Sequence, residues 1–334
     1  MILQPYDTNY SLPPFGLQNS GVLCYLNTCI QSLYSLPVFN KMICDDKYQD
    51  NILVVELKNL YKDVKKFKDT KIYNLHFYLK SIDQTRIIDG RQNDSFEIFK
   101  FILELLPVDF YNIFYLKYHL IIQCSNCKKI TNTTIQNELT VNLSMKITPN
   151  GKVLDNDKDI NDYIKCNMNI LEDYICEMCS KKNTSTQYYK IGNIPNCIII
   201  SYHDNHNNLL KNCRKETRYF PSVLYFTTKN NSNVCYEPAS VVKHFGSLNS
   251  GHYNGEFLRN NTHLDDRIEL FEQKYITEKN IQQRNKYIVC LTKLQKRQLN
   301  KLEKFNINDS NFFELNNFNQ SENTYYVIYV LKNM

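Results

Sequence analysis

Two pairs of cysteines set the tightest constraint on how this chain can fold. Cys124-Ser125-Asn126-Cys127 and Cys176-Glu177-Met178-Cys179 each hold two thiols at the spacing of a knuckle turn, and Cys176 follows Cys127 by 49 positions. If all four meet, they supply the tetrahedral thiolate shell that suits Zn²⁺, and the strand-like runs that flank the pairs must then lie side by side. A full shell of Cys124, Cys127, Cys176 and Cys179 leaves no open position for chemistry, so the metal expected is structural. Four unmetallated thiols are the bland alternative. A redox pair fits less well, because neither CxxC follows a thioredoxin-like βαβ pattern.

The remaining cysteines need a reading that does without disulfides. No apolar run approaches the ~20 residues of a membrane helix, and the start Met1-Ile2-Leu3-Gln4-Pro5-Tyr6-Asp7 lacks the basic and apolar regions of a signal peptide. The chain therefore reads as intracellular, in cytoplasm or nucleus, where thiols stay reduced. Of the 12 cysteines, metal binding takes four, and a catalytic role for Cys24 is argued below. The others, including Cys29 and Cys197, read as buried bystanders. The 40 basic and 34 acidic residues leave a net charge of +6, scattered except over 293–304. A nucleic-acid binder would more typically gather its cations in a patch or stripe. With no Trp, aromatic packing must rest on 25 Tyr and 18 Phe.

Patterning changes along the chain. Residues 27–36 and 95–106 carry apolar side chains at helical spacing: Ile30, Leu33 and Tyr34 in the first, Phe96, Phe99, Ile102 and Leu106 in the second. From Tyr115 the runs shorten and become strand-like, at 118–122, 138–143, 196–202, 223–227, 239–243 and 325–331. Helices first and strands later predict an α+β fold. Residues 259–304 are polar, charged and free of Gly and Pro. They read as a surface insertion, with Leu291, Leu294, Leu299 and Leu302 on one face of a helix.

The chemistry is concentrated in three short segments. In Phe15-Gly16-Leu17-Gln18-Asn19-Ser20-Gly21-Val22-Leu23-Cys24-Tyr25, a polar loop runs into an amphipathic stretch that begins at Cys24. A thiol at a helix N-terminus feels the positive end of the backbone dipole, which favours the thiolate. Asn19 could aim its amide at the same point and stabilise an oxyanion. A small core residue is the bland reading of such a cysteine. In the second segment, Val241 to Tyr253, a strand-like run enters a Gly- and Ser-containing turn and returns with His252 directly after Gly251. A cysteine nucleophile needs such a base to take its proton and later protonate the leaving amine. Gly251 would let an extended substrate pass close to the backbone. The third, Asn306-Ile307-Asn308-Asp309-Ser310, is either a plain turn or the source of the residue that holds the imidazole in one tautomer.

These segments resemble the boxes of the ubiquitin-specific proteases. Gly16, Leu17, Asn19, Gly21, Cys24, Tyr25, Asn27 and Gln31 fall on the pattern G-L-x-N-x-G-x-T-C-Y-M-N-S-x-L-Q. His244, Gly246, Gly251, His252 and Tyr253 fall on H-x-G-x-x-x-x-G-H-Y, and Asn308-Asp309-Ser310 resembles F-N-D-S-x-V. Gln92-Asn93-Asp94-Ser95-Phe96-Glu97-Ile98-Phe99 is similar to Q-Q-D-A-x-E-F. The four boxes come in the family's order and span nearly the whole chain.

The resemblance implies a papain-like core of helical thumb (about 1–112) and β-rich palm (194–334, with the insertion at 259–304). Between them, at 113–193, it implies zinc-ribbon fingers. It implies a deubiquitinating thiol protease acting after the C-terminal glycine of ubiquitin, with structural zinc and no organic cofactor. The roles it assigns are Cys24 nucleophile, His252 base, Asn308 orienting residue and Asn19 oxyanion donor. Asp309 shares or supports the third role. Asp94 and Glu97 would meet arginines near the tail of ubiquitin, and Gly251 and Tyr253 would line its path. The partners expected are ubiquitin and ubiquitinated proteins, with no nucleic acid or membrane, and the chain is expected to be a monomer. Departures are Leu23 for the usual Thr, Leu26 for Met, Ile307 for an aromatic, and Tyr202-His203-Asp204 for an L-K-R-F stretch. The rival readings are a catalytically inactive ubiquitin-binding module, a protease for a ubiquitin-like modifier, and a zinc-ribbon nucleic-acid or scaffold protein.

Overall fold

The computed structural model describes residues 8–19, 21–66, 72–84, 88, 91–142, 169–193, 195–201, 220–227, 233–247, 250–260, 302–315, 317–319, 321 and 323–332, with 273, 276, 277, 280, 282 and 285. Helices lead and strands follow, as the patterning predicts. The helices are α1 (Cys24–Tyr34), α2 (Pro37–Cys44), α3 (Ile52–Lys65), α4 (Tyr73–Ile82), α5 (Ser95–Leu105) and α6 (Val108–Asn112). The strands are β1 (Leu116–Cys124), β2 (Ile130–Glu138), β3 (Thr140–Asn142), β4 (Asn169–Ile175), β5 (Lys182–Ile191), β6 (Cys197–Ser201), β7 (Leu224–Thr227), β8 (Asn233–Ser247), β9 (Ser250–Asn260), β10 (Leu302–Asn308), β11 (Asn311–Leu315) and β12 (Thr324–Leu331). Among the described residues no helix is long and apolar enough to cross a membrane.

The chain divides into two compact units. One comprises Asp7–Leu106 and Phe245–Phe318. Its centre is α1, and all eleven residues of that helix are buried. The sequence suggests an amphipathic helix, yet α1 has no solvent face; a helix enclosed all round must satisfy its polar side chains internally. Gln31 Nε2 donates to the Phe15 carbonyl at 2.9 Å, Ser32 Oγ to the Thr28 carbonyl at 2.9 Å, and Tyr34 Oη to the Leu57 carbonyl at 2.7 Å. Against α1 packs the antiparallel ladder β9–β10–β11. Asn306 pairs with Glu256 and Ile307 with Gly255. Strand alternation therefore puts Tyr253, Phe257, Arg259, Phe305 and Ile307 on one face and His252 with Asn308 on the other. Phe257, Phe305 and Ile307 form a buried cluster.

Arg259 and Leu302 correct the insertion boundaries read from sequence. Both are ladder residues, in β9 and β10. The Arg259 guanidinium is buried, 5.3 Å from the ring centres of both Phe15 and Phe257, and donates to the Gln31 carbonyl at 3.0 Å and to Gln31 Oε1. It ties β9 to the middle of α1. Leu302 lies opposite Asn260 in the ladder and is not on a helix. Leu291, Leu294 and Leu299 lie outside the described residues, as does Tyr202-His203-Asp204.

The other unit comprises Met1–Tyr6, Pro107–His244 and Asn319–Met334. It holds a four-stranded antiparallel sheet in the order β2-β1-β5-β4. In its second sheet β8 pairs with β7 and β12, β12 with β6, and β6 with the parallel β3. β6 is buried on both faces, which its run Cys197-Ile198-Ile199-Ile200 suits. Tyr takes the place of Trp in this core, and two of its buried hydroxyls find carbonyls: Tyr236 donates to Pro195 and Tyr329 to Pro221, both at 2.7 Å.

Candidate active site

Every residue that the sequence marks for chemistry on a substrate lies in the first unit described, so the arrangement can be built within it. Cys24 opens α1, as the loop-to-helix reading expects. Leu23, the N-cap residue, contributes no side-chain cap. Asn19 acts in its place: its Oδ1 accepts the N–H of Leu23 and of Gly21, both at 3.0 Å. The backbone groups of Tyr253, Tyr25 and Cys24 itself pull the Cys24 thiol down, so the residue next to His252 acts on it. The thiol is nonetheless held above its usual pKa, opposite to what the helix start alone predicts. Burial is the main cause, and the Asp309 carboxylate adds to it against the pull of those backbone groups.

His252 follows from the ladder register. On the face of β9 and β10 opposite the core cluster, its Nε2–H donates to Asn308 Oδ1 at 2.6 Å. That bond fixes the tautomer and leaves Nδ1 with the lone pair. Asp309, the next residue, turns elsewhere. It sits in the two-residue turn between Asn308 and Asn311 with φ of 49°, a left-handed conformation that Asp tolerates better than most residues. From there Oδ2 accepts from Asn19 Nδ2 at 3.0 Å and Oδ1 from Asn27 Nδ2 at 2.8 Å, with Oδ2 4.0 Å from His252 Nε2. The main chain closes the same junction, since Leu17 N–H donates to the Asp309 carbonyl at 2.9 Å. Gly16 passes so close to the Ser310 carbonyl that a Cβ would collide with it.

The acidic pair has a structural task as well as an exposed one. Asp94 is the N-cap of α5, and its Oδ1 accepts from Phe96 N at 2.6 Å and Glu97 N at 3.1 Å. Glu97 is exposed in the first turn. Burial raises the Tyr253 phenol, and the Asp94 and Glu97 carboxylates add to this, which places both near Tyr253. Gly251, next to His252, gives its N–H to Gln92 Oε1 at 2.8 Å, so the loop that carries Asp94 is tied to the strand that carries His252.

The zinc-type cysteines lie in the other unit, at the ends of β1 and β4. The four sulfurs of Cys124, Cys127, Cys176 and Cys179 all lie within 4.8 Å of one another. Cys124 to Cys179 is 3.9 Å and Cys127 to Cys176 is 3.7 Å. Tetrahedral Zn²⁺ with bonds of ~2.3 Å needs sulfur edges of about 3.8 Å, so the donor set fits. The two knuckles repeat one backbone device: Lys128 and Ser180, each following the second Cys, have φ of 60° and 54°. Their N–H groups return to the Cys124 and Cys176 carbonyls at 3.0 and 2.7 Å. The Cys127 N–H pulls the Cys124 thiol down to about 6. Although the Lys129 N–H opposes it, burial and the neighbouring sulfurs push Cys127 up to about 11. Packed sulfurs that resist ionising together are what a divalent cation relieves. Of the other cysteines, Cys29 and Cys197 are buried, as expected.

The sequence assigns no role to Asn27, Gln92 or Arg259 beyond the motif matches of Asn27 and Gln92. Helical spacing could have marked Asn27, which lies one turn after Cys24 on the same side of α1.

Comparison with known proteins agrees with this geometry. The family model described as ubiquitin carboxyl-terminal hydrolase matches residues 15–291. Among solved structures, the chain resembles one chain of the SAGA DUB module Ubp8/Sgf11/Sus1/Sgf73 bound to monoubiquitin, with a TM-score of 0.68 and 16% identity, over 98% of this chain and 71% of that one. Against the same module bound to ubiquitin aldehyde the TM-score is 0.67 at 15% identity, over 100% and 72%. Against a yeast SAGA DUB module carrying an Sgf73 mutant it is 0.63 at 16%, over 100% and 71%. At these identities the likeness is one of fold. A search of curated proteins gives no significant match. The family model covers the Cys24 and His252 segments together with both cysteine pairs, and the chain belongs to the ubiquitin carboxyl-terminal hydrolase family.

Proposed function

We propose that this chain is a deubiquitinating cysteine protease that hydrolyses the isopeptide or peptide bond after the C-terminal glycine of ubiquitin. The observation that carries the reading is the ladder register that pairs His252 Nε2 with Asn308 Oδ1 at 2.6 Å, on the strand whose next residue, Tyr253, acts through its backbone on the thiol of Cys24 at the start of α1. In the first step His252 Nδ1 takes the thiol proton as sulfur attacks the glycine carbonyl carbon. The displaced electron pair settles on the carbonyl oxygen, which receives the second N–H of Asn19 Nδ2. As the C–N bond breaks, His252 returns the proton to the departing lysine or α-amine, leaving a thioester. Water then gives a proton to His252 and attacks the same carbon, and as the C–S bond breaks the departing sulfur takes that proton back from His252, restoring Cys24 and releasing the carboxyl terminus of ubiquitin. Asn308 keeps the imidazole in the working tautomer. The Asp309 carboxylate favours the imidazolium at 4.0 Å while holding Asn19. A Zn²⁺ bound by Cys124, Cys127, Cys176 and Cys179 would cross-link the two knuckles and take no part in the reaction. The helical region, ribbon and remaining sheet then serve as thumb, fingers and palm.

Ubiquitin as substrate is supported by two of the structural neighbours, one bound to monoubiquitin and one to ubiquitin aldehyde. A panel of fluorogenic ubiquitin and ubiquitin-like substrates tests the assignment. Cleavage of the ubiquitin conjugate is expected, and cleavage of a ubiquitin-like conjugate alone would move the substrate. No turnover of any conjugate, with no labelling of Cys24 by a ubiquitin propargylamide probe, would overturn the activity.

The acids separate by variant. Glu97→Lys should raise KM for ubiquitin substrates about 10-fold, the loss of one charge-assisted contact, with unfolding unchanged. Asp94→Lys should do the same and also cost about 1 kcal/mol of stability through the lost N-cap. An unchanged KM in Glu97→Lys would make that carboxylate a plain surface charge.

A further inference from the structure

We infer that Asn27 is a positioning residue for the reaction, acting through Asp309 on Asn19 and His252. The inference rests on the activity proposed above. Asn27 is 2% exposed, and its Nδ2 faces acceptors only: Asp309 Oδ1 at 2.8 Å, then the Leu17 and Gln18 carbonyls at 3.4 and 3.5 Å. Its own Oδ1 is buried without a hydrogen-bond partner among the described residues. Such an orphaned acceptor costs about 1–3 kcal/mol. An apolar side chain here would avoid that cost, so the amide is explained by what its N–H groups hold.

What they hold is one oxygen of a carboxylate with two calls on it. Asp309 Oδ2 accepts from Asn19 and lies 4.0 Å from the His252 nitrogen that Asn308 occupies. With Oδ1 pinned by Asn27, the carboxylate cannot swing onto that ring nitrogen and displace Asn308. Oδ2 stays on Asn19, whose Oδ1 is fixed by the Gly21 and Leu23 N–H groups. The Asn19 amide is thereby immobilised at both ends, and its second N–H keeps one direction. An oxyanion donor is useful only when aimed before the charge develops. Asn27 touches no reacting atom and sets that aim at one remove.

The experiment is a double-mutant cycle on a fluorogenic ubiquitin substrate, using Asn27→Ala, Asp309→Gly and the pair. Glycine is the right replacement at 309 because it accepts the left-handed φ without strain. Asn27→Ala should lower kcat by about 10- to 100-fold, part of the loss expected for an oxyanion donor, with KM within about threefold. In the Asp309→Gly background it should cost nothing further in kcat, because the residue it acts through is already gone. Multiplicative losses, or an Asn27→Ala effect confined to KM or to unfolding, would overturn the inference.

Wild type that fails to cleave the substrate would refute the activity rather than the positioning, which a second measurement then decides. The ring nitrogen resonances of His252 are compared by NMR in wild type and Asn27→Ala at one pH. Nε2 is bonded to Asn308 Oδ1 at 2.6 Å with Asp309 Oδ2 4.0 Å away. Release of the Asp309 carboxylate in Asn27→Ala should let it compete for the Nε2–H and shift that resonance. Unchanged resonances would overturn the positioning whatever the substrate.

Discussion

Cys24→Ala should abolish turnover of ubiquitin conjugates, a loss on the order of 10⁴- to 10⁶-fold in kcat. The fold and ubiquitin binding should survive, because Ala is a helix former and the change removes one sulfur at a site 2% exposed, about 1 kcal/mol or less. His252→Ala should fall in the same range. Asn308→Ala should lose less, about 10- to 100-fold, since Asp309 remains 4.0 Å from the ring to favour the right ionisation. Cys29→Ala is the control and should cleave at the wild-type rate. Cys29 lies five residues along the same helix, and burial holds its thiol far from ionisation. Near-normal turnover by Cys24→Ala, with loss in Cys29→Ala, would exchange the two assignments.

The raised thiol adds a dependence on pH. Because burial and then Asp309 hold Cys24 above its ordinary value, its alkylation by iodoacetamide should climb as pH rises beyond the usual thiol range. Asp309→Asn removes a negative charge that disfavours the thiolate, so the climb should move to lower pH. A profile centred well below neutrality in wild type would mean that a thiolate–imidazolium pair exists before substrate arrives.

Residues whose partners are close in sequence were legible, and those that depend on burial were not. Cys24 at a helix start and the two knuckles needed only spacing and turn chemistry. The pairing of His252 with Asn308 rests on the β9–β10 register, which spacing does not give, and only the resemblance of the boxes links them in sequence. The sign of the Cys24 shift was misread because the helix dipole can be inferred from sequence, whereas enclosure by Tyr253 and β9 cannot. Arg259 was placed in a surface insertion because charge normally means solvent. In the fold it is sandwiched by Phe15 and Phe257 and bound to the main chain of α1. Asp94, expected to meet the substrate, is also the N-cap of α5, a role that the D-x-x-E spacing of Asp94-Ser95-Phe96-Glu97 makes legible in sequence. Helices α2, α3 and α4 fall in the region to about residue 112 that the sequence marks as helical, although no motif sets their bounds. The direction of Asp309 was beyond sequence altogether. It depends on a left-handed turn and on Asn19 and Asn27, which lie 290 and 282 positions away.

The second large effect concerns the cysteine cluster. Purified protein should carry one equivalent of zinc by elemental analysis, and serine at any of Cys124, Cys127, Cys176 or Cys179 should release it. Structural Zn²⁺ contributes about 10–16 kcal/mol of apparent binding energy in small sites. Among the described residues β1 pairs with β2 and β5, and β4 with β5 only, so Cys176 follows an edge strand that a bound metal would tie to the end of β1. Loss of zinc should therefore free β4 first, seen as loss of hydrogen-exchange protection over 169–175 before β1 or β5 opens. The four positions should not be equal. Cys124 and Cys176 are buried while Cys127 and Cys179 are partly exposed, so serine at the inner pair strands a hydroxyl and should destabilise more. Because the proposed nucleophile, base and oxyanion donor all lie in the other unit, the zinc-free protein should lose more in KM for ubiquitin substrates than in kcat. Freshly purified protein without metal, its β4 amides fully protected, would show that the four thiols hold the ribbon unaided.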